Sequence, residues 1–214
     1  PNSCLTCAIT GGTLSGDAQT LFHSFQQFSV PTGGAATFKN DLSLVNIVTR
    51  VTGELPSDID GAIAVQGRAN LFLLNPNCIV FGPNAVLQVP GSFIASSAES
   101  ITFADPSAAN PLLTMRAPLG LQVGSTSGNR SIPGPIRVEG PGNFPPKLPG
   151  SFVTPGHTLA LVGGNLEIEG GTVSALSDNS TSGRLELGFV TQVTVNLRAV
   201  TDGFDLNFDS IQDF

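Results

Sequence analysis

Residues 70–97 read NLFLLNP, NCIVFGP, NAVLQVP and GSFIASS in consecutive sevens. Asn70, Asn77, Asn84 and Gly91 open the segments, and Pro76, Pro83 and Pro90 close three of them. Seven residues is also the heptad of a coiled coil. Proline costs ~3 kcal/mol inside a helix, so a proline at every seventh position excludes that reading. What fits is a strand of about five residues and a tight corner, repeated. Three such sides make a turn of about 21 residues, within the period range of solenoids. A second stretch behaves alike: TLALVGG from Thr158, NLEIEGG from Asn165 and TVSALSD from Thr172. The expected fold class is all-β, a parallel β-helix.

Alternation assigns the faces. Glu167 and Glu169 should face solvent, which turns Leu166 and Ile168 inward. Carrying the same columns along the sevens puts Leu159 and Leu161, Val173 and Ala175 inside. In the first block it puts Leu71 and Leu73, Cys78 and Val80, Ala85 and Leu87, and Ser92 and Ile94 inside. Phe72, Leu74, Ile79, Phe81, Val86 and Phe93 then point outward. A patch this apolar should be covered. The expected cover is the N-terminal region, with Leu21, Phe22, Phe25, Phe28, Val30 and Phe38. The spacing of Phe22, Phe25 and Phe28 leaves a short helix open, while Ser29-Val30-Pro31 and the turn Thr32-Gly33-Gly34 favour extended structure.

The chain reads as one domain, residues 1–214. Residues 1–50 form a cap and covering segment, and residues 51–214 form rungs. Prolines crowd residues 105–155, which read as corners enlarged into loops. Residues 119–123 and 136–139 retain strand patterning. In the tail, Val195, Leu197 and Val200, then Phe204, Leu206 and Phe208, read as further strands.

Charged residues are 12% and the net charge is −7. The arginines are scattered singly and the lysines are Lys39 and Lys147, so no basic face exists for nucleic acid or an anionic membrane. No run approaches the ~18 apolar residues of a membrane helix. The opening Pro1-Asn2-Ser3-Cys4 lacks the basic start and apolar stretch of a signal peptide. Cys4 and Cys7 form a C-x-x-C without the second ligand pair that zinc needs. They read as a local disulfide, Cys4–Cys7, in an oxidising compartment. Cys78 reads as a free interior thiol; the competing pairing joins the N-terminal segment to Cys78.

Residues 21–30 (LFHSFQQFSV), Val51-Thr52-Gly53 and residues 69–85 (ANLFLLNPNCIVFGPNA) together carry a resemblance. So do residues 156–171 (GHTLALVGGNLEIEGG) and 183–188 (GRLELG). The chain resembles the N-terminal two-partner-secretion domain of filamentous-haemagglutinin-like exoproteins and is most similar to the cyanobacterial form. The resemblance implies a right-handed parallel β-helix with an N-terminal cap and extra-helical strands. It implies a secreted or cell-surface exoprotein, exported through the periplasm and outer membrane of a Gram-negative bacterium. The implied partner is a TpsB-type β-barrel transporter, which recognises the domain through its POTRA domains while the domain seeds β-helix folding.

The family's Asn-Pro-Asn-Gly motif maps onto Asn75, Pro76, Asn77 and Cys78, with cysteine in place of glycine. A second motif, Asn-Pro-Asn-Leu, survives as Asn40-Asp41-Leu42 without its proline. Residues Phe22, His23, Ser24, Phe25 and Phe28 belong with the first motif as candidates for transporter recognition or structure. By residue chemistry, Asn75-Pro76-Asn77 is also an ordinary β-helix corner: Asn accepts a backbone bond, Pro presets φ, and Asn tolerates an unusual φ.

Catalysis finds little support in the sequence. Asp58 and Asp60 form a D-x-D, yet Pro56, Ser57 and Gly61 around them mark a turn. Asp202, Asp205 and Asp209 lack the glycine and terminal glutamate of a calcium loop. His157 follows Pro155-Gly156 and reads as a turn residue; His23 reads as a packed histidine. Asn129-Arg130-Ser131 and Asn179-Ser180-Thr181 match the N-glycosylation pattern and point to exposed loops. The expectation is a non-enzymatic, monomeric domain with no cofactor, metal, nucleic acid or small-molecule substrate. A stand-alone adhesin or a polysaccharide-active β-helix enzyme are the alternatives.

Overall fold

The computed structural model describes residues 5–103, 118–123, 133–140, 152–171, 173–175, 177–191, 193–201 and 203–208. All regular structure among these is β, wound as a parallel solenoid of about six turns. The chain begins with β1 (Thr6–Ile9) on a first face, and β2 (Thr13–Leu14) and β3 (Thr20–Phe25) on a second. It touches the third face at Val30, bridged to Ile59, and returns to the first with β4 (Ala35–Phe38). Two regular turns follow: β5 (Asn46–Val51), β6 (Ser57–Ile59) and β7 (Ala62–Val65), then β8 (Asn70–Leu74), β9 (Ile79–Phe81) and β10 (Val86–Val89). After β11 (Phe93–Ser96) the chain leaves the coil through β12 (Ser100–Phe103) and β13 (Pro118–Val123). It re-enters with β14 (Pro135–Glu139), β15 (Phe152–Val153), β16 (Thr158–Gly163), β17 (Asn165–Glu169) and β18 (Arg184–Phe189). It leaves again with β19 (Val193–Val200) and β20 (Gly203–Asn207).

The three faces are the sheets β1-β4-β7-β10-β15, β2-β3-β5-β8-β11-β16-β18 and β6-β9-β14-β17. Every pairing within them is parallel except β2 with β3. Parallel neighbours need a crossover of a dozen or more residues; here the other two sides of each rung supply it. Thr20 stacks on Asn46, Asn46 on Asn70, and Leu71 on Phe93, which are repeats of 26, 24 and 22 residues. Parallel pairing already involves β1, β3, β4 and β5, so residues 1–50 contribute strands to the same sheets as the later rungs.

Alternation assigns half of the first block correctly. Leu71, Leu73, Leu87, Leu159 and Leu161 line the interior, with Ala85, Leu166, Val173 and Ala175 packed against it. Phe72 and Leu74 face outward. Ile79, Phe81 and Phe93, expected outside, are inside. Ile94, expected inside, lies in the outer cluster, and Cys78 and Val80 are half-buried on the outer side of β9. The reason is that seven is an odd step. Four residues separate β8 from β9, four separate β9 from β10, and three separate β10 from β11. Inward positions stay odd-numbered from Leu71 to Phe93, whereas a step of seven switches between odd and even at every corner, so β8 and β10 come out right and β9 and β11 reversed.

The cover over the outward patch is also different from the expected one. β12-β13-β19-β20 form an antiparallel sheet laid on the outer surface of the second face. Leu121, Val123, Val195, Leu197, Phe204 and Leu206 close over Phe72, Leu74, Ile94, Ala160 and Val162. Phe204 meets Phe72 edge to face, centroids 5.4 Å apart. Of the residues expected to cover it, Leu21, Phe28, Val30 and Phe38 lie inside the coil with Phe25 packed against them, and Phe22 touches the margin of this outer cluster. The tail strands read from the sequence are β19 and β20, and residues 119–123 and 136–139 fall in β13 and β14.

Candidate recognition site

Asn75 begins the corner between β8 and β9 and is completely buried. Its Nδ2 donates to the Leu55 carbonyl (3.1 Å) and to Ser57 Oγ (2.9 Å), both in the preceding rung. Its Oδ1 accepts the Asn77 backbone N–H at 3.0 Å, closing an Asx-turn. Asn77 is exposed, but its Nδ2 reaches back to the Gly53 carbonyl at 2.8 Å. The following rung binds as well: Asn75 N–H donates to the Ser96 carbonyl, and Gly134 N–H to the Pro76 carbonyl. Gly134 passes so close that a Cβ there would collide with the Asn77 carbonyl. Asn75-Pro76-Asn77-Cys78 thus stitches three successive rungs at one corner.

Cys78 is a free, half-buried thiol beside this corner. Burial pushes its pKa up; Arg137 pulls it down, and Asp58 and Glu167 add to the rise. The interior placement expected from alternation is thereby corrected. Cys7 is disulfide-bonded, and Cys4 lies outside the described residues.

The residues read with the motif divide between two environments because β3 alternates. Phe22 and Ser24 point outward, where Phe22 meets Phe103 edge to face with centroids 5.6 Å apart. His23 and Phe25 point into the N-terminal end of the coil. His23 stacks on Phe25 (5.8 Å) and lies against Phe38 (5.6 Å), while Phe28 joins both phenylalanines at 5.5 and 6.2 Å. Burial lowers the pKa of His23. This aromatic plug is made by a strand, so the short helix left open by the three-residue spacing does not form.

The other residues weighed from the sequence lie apart from this corner or beside it. Asp60 accepts from the Thr32 hydroxyl and from the backbone N–H and side chain of Asn84, tying three rungs at the next corner. Burial works to raise its pKa, and these hydrogen bonds outweigh that and leave it lowered. Asp58 is exposed on the outer side of β6. His157 sits in a turn, its Nδ1 3.0 Å from Thr154 Oγ1. Asn179-Ser180-Thr181 is in an exposed or half-exposed turn where Asp178 is held at about 2 by hydrogen bonds from Ser180 and Thr181. Asp202, Asp209 and Asn129-Arg130-Ser131 lie outside the described residues. Among the described residues no cluster of His, Cys, Asp and Glu could hold a metal ion. No helix there is long and apolar enough to cross a membrane.

A feature the sequence reading missed is a polar ladder along one edge of the second face. Asn46 donates to Thr20, Asn70 to Asn46 (3.0 Å), Ser92 N–H to Asn70 (2.9 Å), and Thr158 N–H to Ser92 (3.1 Å). Thr158 Oγ1 then exchanges hydrogen bonds with the Phe204 backbone, fastening the outer sheet to the coil. The signal was a polar residue just before each apolar strand, at Thr20, Asn46, Asn70, Ser92 and Thr158.

A family model described as the TPS secretion domain matches residues 3–214. The chain belongs to that family. Its role therefore lies in two-partner secretion, the export of an exoprotein across the outer membrane with the help of a TpsB transporter. No curated protein and no solved structure matches the chain. In this TPS domain the motif corner and the aromatic plug sit on different parts of the rung: one between β8 and β9, the other inside β3 and β4.

Proposed function

We propose that this TPS domain addresses a large surface exoprotein to its transporter, through POTRA domains in the periplasm of a Gram-negative bacterium, and seeds folding of a longer β-helix. The observation that carries the seeding role is the state of the last rung. Leu185 and Leu187 stack in register on the buried Leu159 and Leu161, and Ile168 stacks on the buried Val138. These are inward columns, yet Leu185, Leu187 and Ile168 are 40%, 43% and 43% exposed. Phe189, in the same column as Gly163, is 66% exposed. β15, β17 and β18 also end their sheets, each presenting one unpaired row of backbone groups among the described residues. A bare apolar end with free strand edges is a template for another rung.

The same reading is non-enzymatic and monomeric, with a Cys4–Cys7 disulfide securing the start. Asp60 of the D-x-D is committed to corner hydrogen bonds, which supports a structural role for that residue. The motif residues Asn75, Pro76 and Asn77 serve the domain by shaping its corner, and Phe22, Ser24 and Asn77 are its members with outward or exposed side chains. A reporter fused to residues 1–214 should leave the periplasm only when the cognate transporter is present; equal export without it would overturn the proposal. Leu185→Asp and Leu187→Asp should leave the isolated domain stable while slowing the folding of a fusion that carries further rungs.

A further inference from the structure

The outer sheet does not cover the whole second face. It ends at β12, which pairs only with β13 among the described residues. Between β12 and Thr13 of β2 runs an open groove of about 530 Å³. Its floor is apolar: Phe22, Val48 and Leu74 come from the second face, and Ile101 and Phe103 from β12. Arg50 and Ser24 add a charged and a polar group, and Glu99 lies at the β12 side.

We propose that this groove accepts one extended strand of a partner protein, added to the free edge of β12, with apolar side chains alternating along its inner face and a carboxylate opposite Arg50. The edge decides the backbone of the occupant. A terminal strand offers a row of unpaired N–H and C=O groups, which another strand satisfies and a helix, whose backbone is already bonded, does not. Alternation along β12 decides the side chains. Ile101 and Phe103 are half-buried toward the coil, whereas Ser100 and Thr102 are exposed, so a strand laid alongside has one dry face and one wet face. Charge complementarity decides the carboxylate. Arg50 uses its Nε to donate to the Glu99 carbonyl at 2.8 Å, and among the described residues it has no carboxylate partner. The remaining guanidinium N–H groups form the fork that a carboxylate fits. This inference is independent of the export reading, and either can fail alone.

The probe is a capped seven-residue peptide with threonine at odd positions and valine, aspartate and valine at the even ones. It is titrated into the isotope-labelled domain while backbone amide resonances and hydrogen exchange are followed. The expected result is saturable binding with shifts and new protection across Ser100–Phe103. Methylating every internal peptide nitrogen should abolish it. Arg50→Gln, an exposed change, should weaken it roughly threefold to fivefold, as expected of a solvent-accessible ion pair. Binding unchanged by N-methylation would show an apolar cleft rather than strand addition and overturn the proposal. So would absence of saturation at millimolar peptide, β12 amides already fully protected in the free domain, or shifts confined to the open edge of β18.

Discussion

Replacing Asn75 with alanine tests whether the motif corner holds the coil together. The side chain is completely buried and makes three hydrogen bonds to main-chain or buried groups: to the Leu55 carbonyl, to Ser57 Oγ and from Asn77 N–H. Each such bond contributes about 1 kcal/mol net, and more when its partner is left buried and unpaired. Leu55 and Asn77 are exposed enough for water to replace two of them, whereas Ser57 is fully buried. The expected loss is therefore about 2–3 kcal/mol, read as a lower urea midpoint at unchanged slope. Asn77→Ala gives the internal comparison: its one long-range bond, to the Gly53 carbonyl, is made by an exposed side chain, so the loss should be about 1 kcal/mol or less. Asn75→Asp keeps the acceptor for Asn77 but places a charge in a fully buried site without a cation, so it should cost at least as much as alanine. A midpoint for Asn75→Ala within 0.5 kcal/mol of the unaltered domain would refute the reasoning. The motif would then owe its place to something other than the corner.

Phe204→Ala should cost about 3–5 kcal/mol, because Phe204 is buried against Phe72 in the seam between coil and outer sheet; a thermal melt unchanged by the substitution would show that this sheet is not the essential cover. His23 is held neutral by burial, so its folded pKa lies below the unfolded value near 6.5. Its contribution to stability is complete above that value and is lost as pH falls toward the folded pKa; between pH 7 and 5 the urea midpoint should fall further in the unaltered domain than in His23→Phe. Cys78 should be modified by a thiol reagent in the native state, slowly near neutral pH because burial raises its pKa, and labelling that waits for unfolding would place it inside the coil after all.

The seven-residue rhythm in residues 70–97 was enough to find the coil, because proline and glycine at regular intervals leave a strand-and-corner repeat as the one regular structure. It did not give the parity of every strand. A step of seven is odd and inverts parity at every corner, whereas the inward positions stay odd-numbered from Leu71 to Phe93 through corners of both four and three residues. Burial composition held the missing clue: Ile79 and Phe81 are larger and more apolar than Cys78 and Val80, and weighting volume over strict spacing would have turned them inward. The outer sheet was harder to foresee. Residues 119–123 and 193–207 read individually as strands, but their pairing joins segments some seventy residues apart, and nothing local in either specifies it.

The apolar outer surface of β8 and β11 explains why that pairing must exist. An ordinary half-buried strand alternates apolar and polar residues, whereas residues 71–74 are Leu-Phe-Leu-Leu and all four are buried. A continuous apolar run signals a strand covered on both faces, so some element had to lie across the coil. Two excursions supply it, one leaving after β11 and one after β18, and both return to the same face. The hydrogen bonds between Thr158 and the Phe204 backbone close the arrangement. The second excursion is fastened to the coil at Thr158, and Arg184 of the last rung also donates to the Phe204 carbonyl, at 3.4 Å. The outer sheet lies on the outer side of the second face, so the inward-column Leu185 and Leu187 stay exposed. The coil is stabilised from its side, and on the seeding proposal its last rung is the one that a further rung would extend.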